Sequence, residues 1–204
     1  MTMQATRRQH WEQSQEALLQ ASVEVGIDIG ILVKIAGFES GFDPEARPVA
    51  RDGRRNTVRQ FDGAMAISSA HGLGQFLDGT WHDMLRRHGR KHGVPGASSL
   101  TREDANSPEF RQNLRLQALM LAEFTRENVE RGARLGGSDP DADAYAFHNL
   151  GVRDASRLLL ALRNAPESRV GTVLSPVVIR NNPALYGDGT RTVADVYGRS
   201  EQLP

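Results

Sequence analysis

From Trp11 to Val25 the apolar positions Ala17, Leu18, Ala21 and Val25 recur at steps of three and four, the period of a helix, and Gly26 ends the run. Asp28 stands where an N-cap belongs, before a second and more aliphatic helix from about Ile29 to Ser40. Between Gly41 and Ser69 the helical period disappears. Pro44, Pro48, Gly53, Asn56 and Gly63 punctuate the stretch, and Asp52-Gly53 suits the turn of a short hairpin. The period returns near Thr80, with Trp81, Met84 and Leu85, and stops at Gly89. Ser107-Pro108-Glu109 is the strongest helix start in the chain: serine at the cap, proline at the first position, an acid at the positive end of the dipole. That helix is predicted to run to about Arg134, with Leu114, Ala118, Leu121 and Ala122 on one face, until Gly136-Gly137. Asp139-Pro140 opens another that Gly151 breaks, a further one follows from about Asp154 to Arg163, and a last begins near Thr192. The pattern predicts a mainly α chain with a small irregular or β-hairpin region after the second helix. Residues 1–10 are expected to be flexible, and 176–204 to pack as a C-terminal extension of one domain.

Composition narrows the function. The length of 204 residues fits a single domain. Lysine plus arginine number 25 and aspartate plus glutamate 25, so the basic excess that marks a nucleic-acid binder is missing. There is no cysteine, which removes disulfide scaffolds, thiolate metal sites and cysteine nucleophiles. No stretch reaches the ~18 apolar residues of a membrane span. Arg7 and Arg8 are followed by no apolar segment, so no secretory signal is read.

The chemistry begins on the second helix. On a 3.6-residue period Ile31, Leu32, Ile35 and Glu39 share one stripe. A carboxylate at the end of an apolar stripe loses solvation, which favours its protonated form, the form that donates a proton to a glycosidic oxygen. The plain alternative is a glutamate emerging from a helix end into water.

Three short motifs tip this balance. Glu39-Ser40-Gly41-Phe42 is followed by Gly72-Leu73-Gly74-Gln75-Phe76, and later by Phe147-His148-Asn149-Leu150-Gly151. Together and in this order they resemble the lytic transglycosylases of the soluble, goose-lysozyme-like superfamily. The tail segments Asn182–Tyr186 and Thr192–Tyr197 look like the close of phage- and bacterial-encoded members. The resemblance implies a lysozyme-like helical domain in which Glu39 is general acid and then general base. It implies that Ser40 orients that carboxyl or a substrate acetamido group, and that Gly72 and Gly74 let backbone approach the sugar. It gives Gln75 a hydrogen bond to the glycan and leaves Phe76 to the core. Two positions depart from the family: Gly74 replaces a methionine, which should widen the cleft, and His148 stands where tyrosine is common. Tyr145, His148 and Asn149 can share a helix face. Either Tyr145 or His148 can steady Glu39, and Asn149 matches the family's asparagine. Arg51 to Ala66 reads as a surface loop or as a flap over the cleft.

The implied partner is the glycan strand of peptidoglycan, cut between N-acetylmuramic acid and N-acetylglucosamine with no metal or cofactor, by a monomer. Without a signal, the protein is expected to be made in a cytoplasm and to act on the cell wall, as a phage enzyme carried in a virion or released at lysis, or as an injected effector. A water-using muramidase is the first rival. It needs a second carboxylate at ~6.5–9.5 Å, for which Asp43, Asp52 and Asp62 are available. A silent glycan-binding module is the second. Metal chemistry finds little: His88 and His92 are four apart, but Gly89 between them opposes a rigid zinc pair, and Arg86 to His92 reads as a solvated face.

Overall fold

A computed structural model describes residues 3–49 and 57–200. The described chain is mainly helical, with one small antiparallel hairpin after the second helix, as the pattern predicts. It falls into two compact units, the chain dividing between Phe124 and Thr125.

The first unit opens with α1 (Met3–Val25) and α2 (Ile29–Glu39), which pack together. The α1 helix starts eight residues before the periodic run, inside the segment expected to be flexible. At its other end the Gly26 and Ile27 amides both return to the Ser22 carbonyl, closing the helix with Gly26 in the left-handed conformation. Asp28 caps α2 through the Gly30 amide at 2.6 Å. Leu18 and Ala21 of α1 and Ile31, Leu32 and Ile35 of α2 are buried. Each leucine so buried contributes roughly 2 kcal/mol.

The hairpin pairs β1 (Val58–Arg59) with β2 (Met65–Ala66). Its turn is at Asp62-Gly63, where the Gly63 amide bonds the Gln60 carbonyl and Asp62 accepts the Ala64 amide. The turn expected at Asp52-Gly53 lies outside the described residues, as does part of the expected flap.

Then come α3 (Asp78–His88), two 3₁₀ turns (Gly89–His92 and Ala97–Ser99), and the short α4 (Arg102–Ala105) and α5 (Pro108–Arg111). The long helix expected from Ser107 is in fact two. Pro108 starts a single turn without a side-chain bond from Ser107. The chain breaks at Gln112-Asn113, and α6 (Leu114–Leu135) begins afresh, capped by Asn113 Oδ1 on the Leu116 amide at 3.0 Å.

In the second unit α7 (Pro140–Asn164) is capped by Asp139 and kinks at Gly151, where φ is 72°. Only a glycine adopts that backbone at so little cost, which is why the break is legible in the sequence. After a 3₁₀ turn (Val170–Thr172) follow α8 (Pro176–Asn181), α9 (Pro183–Tyr186) and α10 (Val193–Ser200). Phe147, Leu158 and Leu159 of α7 form one core with Leu185, Tyr186, Val193 and Val196.

Candidate active site

Glu39 is the last residue of α2 and is half-buried. The helix end that carries it is held from one side by α1. Arg7 Nη2 donates to the Gly37 carbonyl at 3.1 Å, and its guanidinium lies over the Phe42 ring. Trp11 meets the same ring edge-on at 5.0 Å, and Ser14 Oγ donates to the Phe42 carbonyl. The first turns of α1 thus line a hollow with Ser40 and Gly41. None of these α1 residues stands out in the sequence, because a surface arginine and a lone tryptophan carry no spacing signal.

From the other side the segment after Glu39 is stitched to the Gly72–Phe76 loop. Ser40 Oγ stands 3.0 Å from the Leu73 carbonyl and 2.9 Å from that of Ala36, so its one proton serves the backbone. The Ala46 carbonyl accepts both the Gly72 amide and Gln75 Nε2, each at 2.9 Å. The structure therefore brings Glu39, Ser40 and Gln75 into one assembly, but gives two of them work other than expected. Ser40 ties a helix end to a loop. Gln75 spends Nε2 on the Ala46 and Gly72 carbonyls, so its carbonyl oxygen is what remains for a glycan.

The glycines also work inward. A β-carbon on Gly72 would overlap the Gln117 amide, and one on Gly74 would press on Leu121 and Phe76. The space expected to admit a sugar or widen a cleft is filled by the protein's own side chains. Phe76 is buried against Trp81 and Phe124, a core residue as expected.

Two buried residues hold the loop from beneath. Gln117 on α6 accepts the Leu73 amide at 2.9 Å and donates to the Pro44 and Arg111 carbonyls at 3.0 and 2.7 Å. Arg111, only 1% exposed, donates through Nη2 to the Ser69 and Phe76 carbonyls and lies over the Trp81 ring. Burial lowers Arg111 to about 10, against the pull of Asp78, so it stays charged at neutral pH. His71 is lowered to about 4, first by burial and then by Arg111 and Arg47, which leaves a neutral ring.

Among the described residues, the non-glycine positions with left-handed φ are Phe42 (70°) and Gln75 (48°). One lies in each of the first two motifs. Such strain costs about 1–3 kcal/mol per residue and gathers at functional sites.

The carboxylates nearby have backbone duties. Asp43 accepts the Glu45 amide at 2.8 Å. Asp62 accepts the Ala64 amide and makes a two-pronged pair with Arg47, which holds its carboxyl down at about 2. Asp52 lies outside the described residues. Glu45, unmarked by any motif, is exposed and 3.7 Å from His71 Nε2.

The third motif is in the second unit. Tyr145 is buried, His148 and Asn149 are half-buried, and all three precede the Gly151 kink of α7. Tyr145 Oη accepts Asn149 Nδ2 at 3.4 Å, so these two do share a face. Asn149 Oδ1 accepts Asn182 Nδ2 at 3.0 Å, which draws the tail segment into the same chain of bonds.

The cluster from Arg86 to His92 divides. Arg86, Arg87, Arg90 and Lys91 are exposed, but His92 is buried. Its ring bonds Glu24 through Nδ1 at 2.6 Å and the fully buried Glu123 through Nε2 at 2.7 Å, and Lys91 and His88 face Glu123 as well. The solvated face expected there is thus formed by those four cations, while His92 turns inward to Glu24 and Glu123. Among the described residues no three histidine, aspartate or glutamate side chains are arranged to hold a metal, and no helix is long and apolar enough to cross a membrane. No protein-family model matches the chain.

Proposed function

We propose that this chain cleaves the β-1,4 bond between N-acetylmuramic acid and N-acetylglucosamine in peptidoglycan, as a lytic transglycosylase. Glu39 protonates the bridging oxygen and the substrate's acetamido group assists at the anomeric carbon. Glu39 then takes the proton of the sugar's C6 hydroxyl, which closes a 1,6-anhydro ring and consumes no water. The observation that carries the reading is local: the motif that Glu39 opens is hydrogen-bonded to the Gly72–Phe76 motif, and each holds one non-glycine residue in a left-handed backbone. Against a purely structural role for Glu39 stands the effort of α1, Gln117 and Arg111 in bracing the segments beside it.

The duties of Asp43 and Asp62 favour this mechanism over a water-using muramidase. A carboxylate held near 2 is a weak base. The test is mass analysis of products from purified peptidoglycan. Anhydro products, one water lighter than hydrolytic ones, are expected from the wild type. Glu39→Gln should lose ~10²-fold or more in activity while folding normally. Full activity in that variant would move the active site elsewhere. Reducing-end products that vanish in Glu45→Gln would make the chain a hydrolase on the same bond.

A further inference from the structure

We infer that Gln117 is a positioning residue for Glu39, acting through the glycine loop and the segment that follows α2. The inference rests on the reading of Glu39 as the acid.

Gln117 is 4% exposed, and both ends of its amide are used on backbone. Its oxygen takes the amide of Leu73, the residue whose carbonyl faces Ser40. Its nitrogen takes the carbonyl of Pro44, five residues beyond Glu39. One side chain thus sets the separation of the two segments that carry the motifs. Gly72 and Gln117 specify each other, since any β-carbon at 72 would occupy the amide's place.

The break before α6 is what permits this. Arg111 and Gln117 are six residues apart, a rotation of about 240° on a continuous helix, which would turn them to different faces. With the chain interrupted at Gln112-Asn113, both side chains reach the same loop. Arg111 takes its end at Phe76 and Gln117 its middle at Leu73.

The experiment is steady-state kinetics on purified peptidoglycan with Gln117→Met, which keeps length and loses both polar ends. Leu85→Ala, a fully buried change on α3, serves as a control for lost stability alone. A displacement of the acid by a fraction of an ångström to 1 Å lowers kcat by about 10–100-fold. That fall is expected in Gln117→Met with KM little changed, together with faster hydrogen exchange at the Leu73 amide. Leu85→Ala should keep wild-type kcat below its melting range. Should Gln117→Met fail to fold, Gln117→Glu replaces it. The new carboxyl still accepts from Leu73 and donates to a carbonyl only when protonated. Its kcat relative to wild type should therefore recover as pH falls, which a merely structural role would not produce.

Unchanged kcat in a folded Gln117→Met, or a pH-independent ratio in Gln117→Glu, overturns the inference and leaves the function standing. A wild type that cleaves no glycan removes both.

Discussion

At Gly72 the backbone φ is 76°, and a β-carbon would collide with Gln117. An alanine there meets two costs, about 1–2 kcal/mol for the left-handed backbone and about 1–3 for a Leu73 amide left buried without its acceptor. Gly72→Ala should therefore lower stability by about 2–5 kcal/mol in urea denaturation, where an unchanged midpoint would mean that the loop relaxes freely. The glycines are visible in the sequence, and so is the glutamate at the end of an apolar stripe. What each glycine makes room for is not, because the occupant is a glutamine 45 positions later in the chain. The same limit explains Ser40 and Gln75: a motif names the residue types, and their hydrogen bonds depend on carbonyls that only the folded loop brings near. The Asp62-Gly63 turn is the opposite case, since its bonds are local.

Among the elements, the break between α5 and α6 is the clearest departure from periodicity. Leu116, Ala118, Leu119 and Leu121 continue an apolar pattern that gives no hint of an interruption before Leu114. The stop lies in a polar pair, Gln112-Asn113, and Asn113 is a favoured cap only once the preceding turn has ended. Asn113→Ala should lose about 0.5–2 kcal/mol of stability. Amide exchange should quicken at Leu116, whose N–H loses its acceptor, and wild-type protection there would show that the cap does not hold the break. The hairpin is the reverse case. Its presence after α2 follows from lost helical period and turn residues, but the strands are two residues each, too short for alternation to mark them. Helix α1 extends eight residues ahead of its apolar period, and its first turns, Met3 to His10, go unmarked by that period because they are largely polar. What holds them is contact with α2 and Phe42, through Arg7 above all.

On the scale of the whole chain, two aspartates, one in each unit, respond to acid in opposite senses. In the first, Arg47 holds Asp62 down at about 2, below the ordinary value of 3.8. This pair stabilises the folded form above about pH 4, and the contribution fades as pH falls through 2. In the second unit Asp143 is 2% exposed in a space bounded by Gly132 and Gly137, where any β-carbon would strike its carboxyl. Burial raises it to about 6, although the Tyr197 hydroxyl, donating at 2.9 Å, favours the ionised form. That hydroxyl also accepts the Ser138 and Asp139 amides, so Asp143 is part of how α10 is fastened to the start of α7. A folded state that keeps its proton up to about pH 6, against about 3.8 when unfolded, is most stable in acid. Stability should decline as pH rises from about 4 to about 6 and then level off in this contribution. The total is on the order of 3 kcal/mol, since each tenfold difference in proton affinity between folded and unfolded chain is worth about 1.4 kcal/mol. Asp143→Asn keeps an acceptor for Tyr197 and cannot ionise, so it should flatten that decline and be more stable than wild type at pH 7. Denaturation of both proteins at intervals between pH 4 and pH 7, followed by tyrosine fluorescence and by amide exchange in residues 138–143, measures it. Parallel pH profiles for the two proteins would show that Asp143 ionises in the folded chain as readily as in the unfolded one, and would leave α10 fastened by Tyr197 and the two amides alone.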